Sequence, residues 1–422
     1  MSILIKDATI ITQNNSRDQL QADIFIDGNI ISKIGKNLND KSDETIDAGG
    51  KIAIPGLVNT HAHVAMTLFR SYADDLPLKQ WLEQKIWPAE AKQTSKDVEI
   101  SSKLAFCEMI RGGTTSFVEM CIHDTKPIFK AANEIGMRGI IAQAALDFGD
   151  HSKSKDVMNK IKPTADYAVG NINASIAAHA PNTCSEELLI KTKELADQKH
   201  LLYQIHVSET RQEVFDILKT KGKYPVEYLD SIGIADKNSI FIHCGWLTKH
   251  EISLLGNNSV TVSSCPVSNL KLATGGIAQL TELDKSGALV TLGTDSAASN
   301  NSLSMFESMK FAGLLQRHHY WKSDVITAQK IFDFATINGA KALGINGGSI
   351  EAGKLADIVL LEPGSNLRPR NDLLAHLVYS GGPQNVSDVI IDGKIVLRNR
   401  KMQTIDEEKL YSEVESMVSL KE

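Results

Sequence analysis

The chain is 422 residues long, enough for one large core or for a large domain with a smaller companion. A net charge of −6 without any basic block argues against nucleic acid as a partner, and no apolar run of about 18 residues offers a membrane span. Five scattered cysteines, odd in number and without a CxxC pair, fit a reducing cytoplasm in which thiols pack as small apolar groups.

The N-terminal segment MSILIKDATIITQ alternates like a strand and does not have the form of a secretory leader. Short β-rich runs at 3–12, 23–27, 30–34 and 44–47 follow one another with turn residues between them. The segment DIFIDGNII at 23–31 has a near twin, DVIIDGKIV, at 388–396. Each is two short runs joined at Asp-Gly, the favoured dipeptide of a tight hairpin. Twin hairpins near opposite ends predict that the termini pair into one small β-domain.

From residue 57 the pattern changes. Apolar, β-branched runs at 57–63, 114–120, 139–146, 174–179, 201–207, 239–244, 259–264 and 289–294 alternate with longer stretches. Helical periodicity is clearest at 97–111, 125–135, 186–199 and 325–343. Eight strands alternating with helices predict a (β/α)₈ TIM-type barrel, with its chemistry at the C-terminal ends of the strands. The expected division is 57–345 for the catalytic barrel, with 1–56 and 346–422 forming a small β-sandwich from both termini. The tail DEEKLYSEVESMV reads as a surface helix closing that second unit.

The polar residues fall where a barrel would use them. His61 and His63 close the first strand, and on a strand positions i and i+2 project to one side. His179 closes the fourth strand, His206 and His243 lie near the ends of the fifth and sixth, and Asp295 follows the eighth. Any one of these histidines is more readily a satisfied core residue than a ligand; five at one rim point to a site. His61, His63, His206 and Asp295 supply three imidazoles and a carboxylate, a set suited to one divalent metal per subunit. Zn²⁺ fits best, and Fe²⁺, Co²⁺ or Mn²⁺ would accept the same donors. Such an ion lowers the pKa of a water towards neutrality. Glu209, three residues past His206, is placed to shuttle a proton, and equally to begin the next helix near its positive end. His243 and Asp295 would orient the nucleophile and take its proton. Glu119 and His123, near the end of the second strand, could reach the same rim and are given no role. Cys265, Pro266, Asn269 and Lys271 read as shaping the turn after the seventh strand, and Cys244 as a packed thiol.

The segments PGLVNTHAH, HVSE, IHC, SSCPVSNLKLA and LGTDSAASNN resemble the amidohydrolase superfamily over nearly the whole chain. More narrowly they resemble the 5′-methylthioadenosine/S-adenosylhomocysteine deaminase branch, which includes adenosine-type deaminases and is related to the s-triazine hydrolases. The resemblance implies a mononuclear metal site, and the fourth strand agrees by offering His179 in place of a bridging lysine. It implies that Glu90 accepts hydrogen bonds from the ribose 2′- and 3′-hydroxyls. Trp81 would wall the pocket, or serve only in helix packing. His179 would bond the nucleoside, and Glu209 and Asp295 would address the purine edge and the attacked carbon. It further implies a cytoplasmic homo-oligomer acting on a small nucleoside, with neither nucleic acid nor membrane as a partner.

One departure bears on the substrate. Some relatives carry arginine after the third strand where this chain has Gln143, which offers no charged fork to a carboxylate. A small neutral 5′ group, as in methylthioadenosine or adenosine, is therefore expected over the amino-acid tail of S-adenosylhomocysteine. The alternative enzyme hydrolyses another heteroaromatic ring, of s-triazine, guanine or pterin type. A third reading, a catalytically silent scaffold, conflicts with retention of all four ligands together with Glu209 and His243.

Overall fold

In the computed structural model, which describes residues 1–419, two sheets account for the strands. The larger unit is a ring of eight parallel barrel strands. The first three are Leu57–Ala62, Thr114–Cys121 and Arg138–Ala145. The fourth comes in two pieces, Ile172–Ala174 and Ile176–Ala178, and the fifth and sixth are Tyr203–Val207 and Ser239–His243. Thr261–Ser264 and Leu289–Leu292 complete the set. Each strand pairs with its sequence neighbour, and a parallel bridge between Ala62 and Asp295 joins the last to the first. These strands are apolar on both faces because helices cover them outside and packed side chains fill them inside. Helices such as Ser95–Arg111 and Glu186–Lys199 start where the sequence supplies caps. Thr94 and Asp97 form a capping box for the first, and Ser185 caps the second.

The termini build the second sheet. Ile52–Pro55 lies antiparallel to Ile358–Leu361, and around this seam nine strands from the first 55 residues and the last 65 assemble over an isoleucine-rich core of their own. The twin hairpins meet at their tips. A side chain on Gly393 (φ 70°) would come within 1.8 Å of the Gly28 carbonyl oxygen, and the Asn29 amide bonds Asp392 at 3.1 Å. Buried Arg138, at the start of the third barrel strand, ties the two units by bonding Asp357 at 2.8 Å and Asp392 at 2.9 Å.

The periodic stretch at 325–343 is two helices rather than one, Ala328–Ala335 and Ile337–Ala342. The break falls at Thr336 (φ −129°), whose hydroxyl donates to the Phe332 carbonyl at 2.6 Å and accepts from the Gln13 amide at 2.8 Å. The tail forms the helix Glu407–Ser419 against the helix Ser95–Arg111, held by Arg111–Glu407 bonds of 2.6 Å. All five cysteines are buried and unpaired, as expected of packed thiols. Among the described residues no helix is long and apolar enough to cross a membrane.

Candidate metal centre and active site

At the C-terminal rim the strand ends converge. The ring nitrogens of His61, His63 and His206 lie within 4.8 Å of one another. Asp295 Oδ1 sits 3.4 Å from His61 Nε2 and 3.3 Å from His63 Nε2, and His206 Nε2 is 3.3 Å from His61 Nε2. Donors about 2.1 Å from a tetrahedral ion are separated from each other by about 3.4 Å, so the 3.3–3.4 Å separations suit donors of one ion, with the three histidines mutually close and Asp295 beside His61 and His63. The remaining ring nitrogens favour that use. His63 Nδ1 donates to the Met120 carbonyl and His206 Nδ1 to the His179 carbonyl at 2.8 Å, which turns both Nε2 lone pairs inward. Burial lowers the affinity of these rings for protons, to about 3 for His61, well below the ordinary value for His206, and downward for His63. Neutral imidazoles are what a cation needs. Asp295 is held well below the usual carboxylate range: burial opposes this, but the hydrogen bond from His61 and the positive character of His63 and His243 outweigh it.

Local backbone geometry aims these groups. Ser208, His243, Cys244 and Asp295, at the ends of strands five, six and eight, all have positive φ, from 50° to 70°. Each such non-glycine position costs of order 1–3 kcal/mol and persists because the surrounding structure enforces it. Gly293 lets strand eight approach strand one, since a Cβ there would stand 2.9 Å from both the His61 Cβ and carbonyl oxygen. The Thr294 and Asp295 N–H groups then donate to that carbonyl at 3.1 and 3.0 Å.

Beside this cluster lies a cleft of about 1250 Å³, lined by His63, His206 and Asp295 and, among others, by Trp81, Glu90, His179, Glu209 and His243. Glu209 Oε2 is 3.8 Å from His243 Nε2. Burial raises the Glu209 carboxyl above its ordinary value, although His243 opposes this. His243 is itself raised, because the charges of Glu209 and Asp295 overcome the effect of burial. His243 Nδ1 donates to Asn269 Oδ1 at 2.9 Å, fixing the ring with Nε2 towards Glu209. His179 shares a 2.8 Å hydrogen bond with Thr183, and burial lowers its pKa to about 4.

Trp81 and Glu90 share one helical stretch, α over Leu78–Trp81, π over Leu82–Ile86 and α again over Trp87–Glu90. Plain α-helix would set two side chains nine positions apart about 180° around the axis. The wider π turn reduces that angle, and both line the cleft. Trp81 also belongs to an apolar cluster with Met66, Phe69, Ile86 and Ala298. Gln143 is half-buried on strand three and is absent from the residues that line the cleft.

Several supporting side chains escaped the sequence reading. Ser268 and Ser299 donate to Asp295 Oδ2 at 2.5 and 2.8 Å, leaving Oδ1 to the histidines. Asn269, read as a loop former, orients His243. Glu213 accepts from the Ser208 and Glu209 N–H groups at 2.7 and 2.9 Å and so holds the loop that carries Glu209. Its signal was visible as Thr-x-x-Glu at 210–213, but that pattern predicts a capping box on the Thr210 N–H. Glu119 does the same for strand one, accepting from the Val64 N–H at 2.8 Å. Lys271 bonds Asp74 at 2.5 Å and Asn301, clasping the loop that precedes the Trp81 helix.

Residues 52–396 match the model of the amidohydrolase family. The chain is 44% identical over 413 residues to a protein named 5′-deoxyadenosine deaminase from Methanosphaera stadtmanae, covering 96% of each. It is 40% identical over 407 residues to a 5-methylthioadenosine/S-adenosylhomocysteine deaminase of Thermococcus onnurineus, covering 95% of each. Among solved structures, an adenosine deaminase from Xanthomonas campestris with bound zinc aligns with a TM-score of 0.90 at 30% identity, covering 98% of this chain and 97% of that one.

Proposed function

Because this chain belongs to the amidohydrolase family, we propose that it is a metal-dependent aminohydrolase that converts an adenine nucleoside to its inosine counterpart and ammonia. The observation that carries this reading is a single cleft lined both by His63, His206 and Asp295 with Glu209 and by Glu90, a buried carboxyl on the helix Trp87–Glu90. A bare heteroaromatic ring has no use for Glu90; a ribose does, since two vicinal hydroxyls match a two-oxygen acceptor.

His61, His63, His206 and Asp295 would hold the ion, which we assign as Zn²⁺ on the preference of that borderline cation for imidazole nitrogen with one carboxylate. When bound it would bring the pKa of a water towards neutrality and so make a nucleophile available. The protein's own groups do the rest. Glu90 and His179 bind the nucleoside, and Trp81 walls the cleft beside them. Glu209 accepts one proton from the attacking water and delivers it to ring N1 while oxygen bonds to C6. Burial raises its pKa, which strengthens its hold on the proton between the two transfers. Asp295 and His243 take the second proton and pass it to the 6-amino group, so the C6–N bond breaks with ammonia as the leaving group. The product then carries a C6 carbonyl and an N1–H.

A small neutral 5′ group, a hydrogen or an alkylthio, is assigned on the similarity to 5′-deoxyadenosine deaminases; Gln143, which does not line the cleft, gives no ground for it. Initial rates on a panel of adenosine, 5′-deoxyadenosine, methylthioadenosine, S-adenosylhomocysteine, adenine, guanine and an s-triazine test all of this. The expected order places the small 5′ nucleosides first. Faster turnover of the bare rings would favour the rival hydrolase, and a clear preference for S-adenosylhomocysteine would overturn the 5′ assignment.

A further inference from the structure

One histidine beside the cleft, His123, has no part in the steps above. Glu90 is 6% exposed, and the Nε2 of His123 lies 3.8 Å from Glu90 Oε1. His123 belongs to a different element, the loop after the second barrel strand, so the contact is tertiary. That Nε2 is buried and has no hydrogen-bonding partner, and the gap to Glu90 exceeds a good hydrogen bond by about 1 Å. A buried ring nitrogen left unpaired is costly, which makes its position beside a carboxyl informative.

We propose that His123 is a positioning residue for Glu90, taking the carboxyl proton onto Nε2 when a sugar diol enters, so that Glu90 meets both hydroxyls as a carboxylate. The inference rests on the reading of Glu90 as the ribose acceptor. In the transfer the O–H bond of Glu90 breaks and an N–H bond forms on His123. The pair therefore carries one proton before and after, and none is exchanged with solvent. A protonated carboxyl offers one of its oxygens as a donor, whereas a carboxylate accepts at both, as two hydroxyls require. An imidazolium beside it balances the charge within the closed cleft.

The surroundings agree with this assignment of the proton. Burial raises Glu90 to about 8 and lowers His123, so the free pair is neutral near pH 7. Glu119 and Cys121 on strand two are pushed up by burial as well, and Asp124, next in the chain to His123, is the remaining charged neighbour. Lys79 and Lys271 line the same cleft, but among the described residues the ion-pair contact to Glu90 is made by His123.

The test compares adenosine with 2′,3′-dideoxyadenosine, which lacks both hydroxyls, on the metal-loaded enzyme and its His123→Ala, His123→Gln and Glu90→Gln variants. His123→Gln keeps the bulk and a hydrogen-bond donor but cannot take a proton. With Glu90 near 8, about nine carboxyls in ten must lose a proton to solvent at about pH 7, so both His123 variants should raise the KM for adenosine about tenfold. The kcat should stay within about twofold, the dideoxy substrate should be unaffected, and the KM defect should fade towards about pH 9. Equal losses on the two substrates, or a His123→Gln enzyme indistinguishable from the parent, would overturn the proposal. If Glu90→Gln erases the preference for the diol while the His123 variants keep it, only His123 is misassigned. If Glu90→Gln leaves that preference intact, the ribose reading itself fails.

Discussion

Replacing Glu213 by Gln should slow turnover while leaving the metal in place. Glu213 contributes nothing to the ligand set; its two oxygens accept the Ser208 and Glu209 N–H groups at 2.7 and 2.9 Å. An amide side chain keeps one acceptor and turns an NH₂ donor towards the other N–H, so one charge-assisted hydrogen bond is lost. Such bonds contribute about 1.5–3 kcal/mol. If that loss falls on the placement of Glu209 in the transition state, kcat drops about 10- to 150-fold, at about 1.4 kcal/mol per tenfold. The KM should change by no more than a few-fold, since both Glu213 oxygens are taken by backbone N–H groups. A second signature comes from linkage. Burial raises the Glu213 carboxyl to about 7 against an ordinary value of 4.5, so its contribution to stability is complete below about 4.5 and lost as pH rises through about 7. Over that window the parent should lose up to about 3 kcal/mol relative to the Gln variant, measured by urea unfolding of both proteins. Steady-state kinetics with metal content determined in parallel decide the main point. A variant with parental kcat at parental metal content would show that Glu213 does not position Glu209.

Chelation, or the change His206→Ala, should abolish activity and lower the melting temperature, with activity restored to the chelated parent by Zn²⁺; full turnover after verified metal removal would refute the assigned site. Ser268→Ala should weaken metal retention about 10- to 100-fold, read by competition with a chromophoric chelator, because Asp295 Oδ2 loses one of its two hydroxyl donors. An affinity equal to the parent's would leave Ser268 a packing residue. Lys271→Met should raise KM by no more than about fivefold with kcat unchanged, since an exposed ion pair such as Lys271–Asp74 is worth about 1 kcal/mol or less; a larger effect on kcat would place Lys271 in the chemistry.

What could be read from the chain and what could not differ in physical kind. The eight strands were legible because burial on both faces demands unbroken apolar runs, and His61, His63, His206 and Asp295 stood out as polar residues at the ends of those runs. The helix pair split at Thr336 was not legible. At its break the threonine hydroxyl accepts from Gln13, more than 300 positions away, a contact that no local pattern signals. Ser268, Ser299 and Asn269 lie in or beside short helices after strands seven and eight, where serine and asparagine are expected simply as caps. Their bonds to Asp295 and His243 are tertiary and leave no periodic trace. Trp81 and Glu90 were found through resemblance alone, because the π turn that brings both to the cleft departs from the periodicity by which helices are recognised.

The seam between the last barrel strand and the first has a bearing on how the molecule comes into being. Donors from Thr294 and Asp295 reach the carbonyl of His61, so the two ends of the ring are stitched at the ligands themselves. On the proposed ligand set, a polypeptide still emerging from the ribosome lacks a quarter of the donors until residue 295 has been synthesised and seated. A cation held by all four groups would then require the circle to be complete.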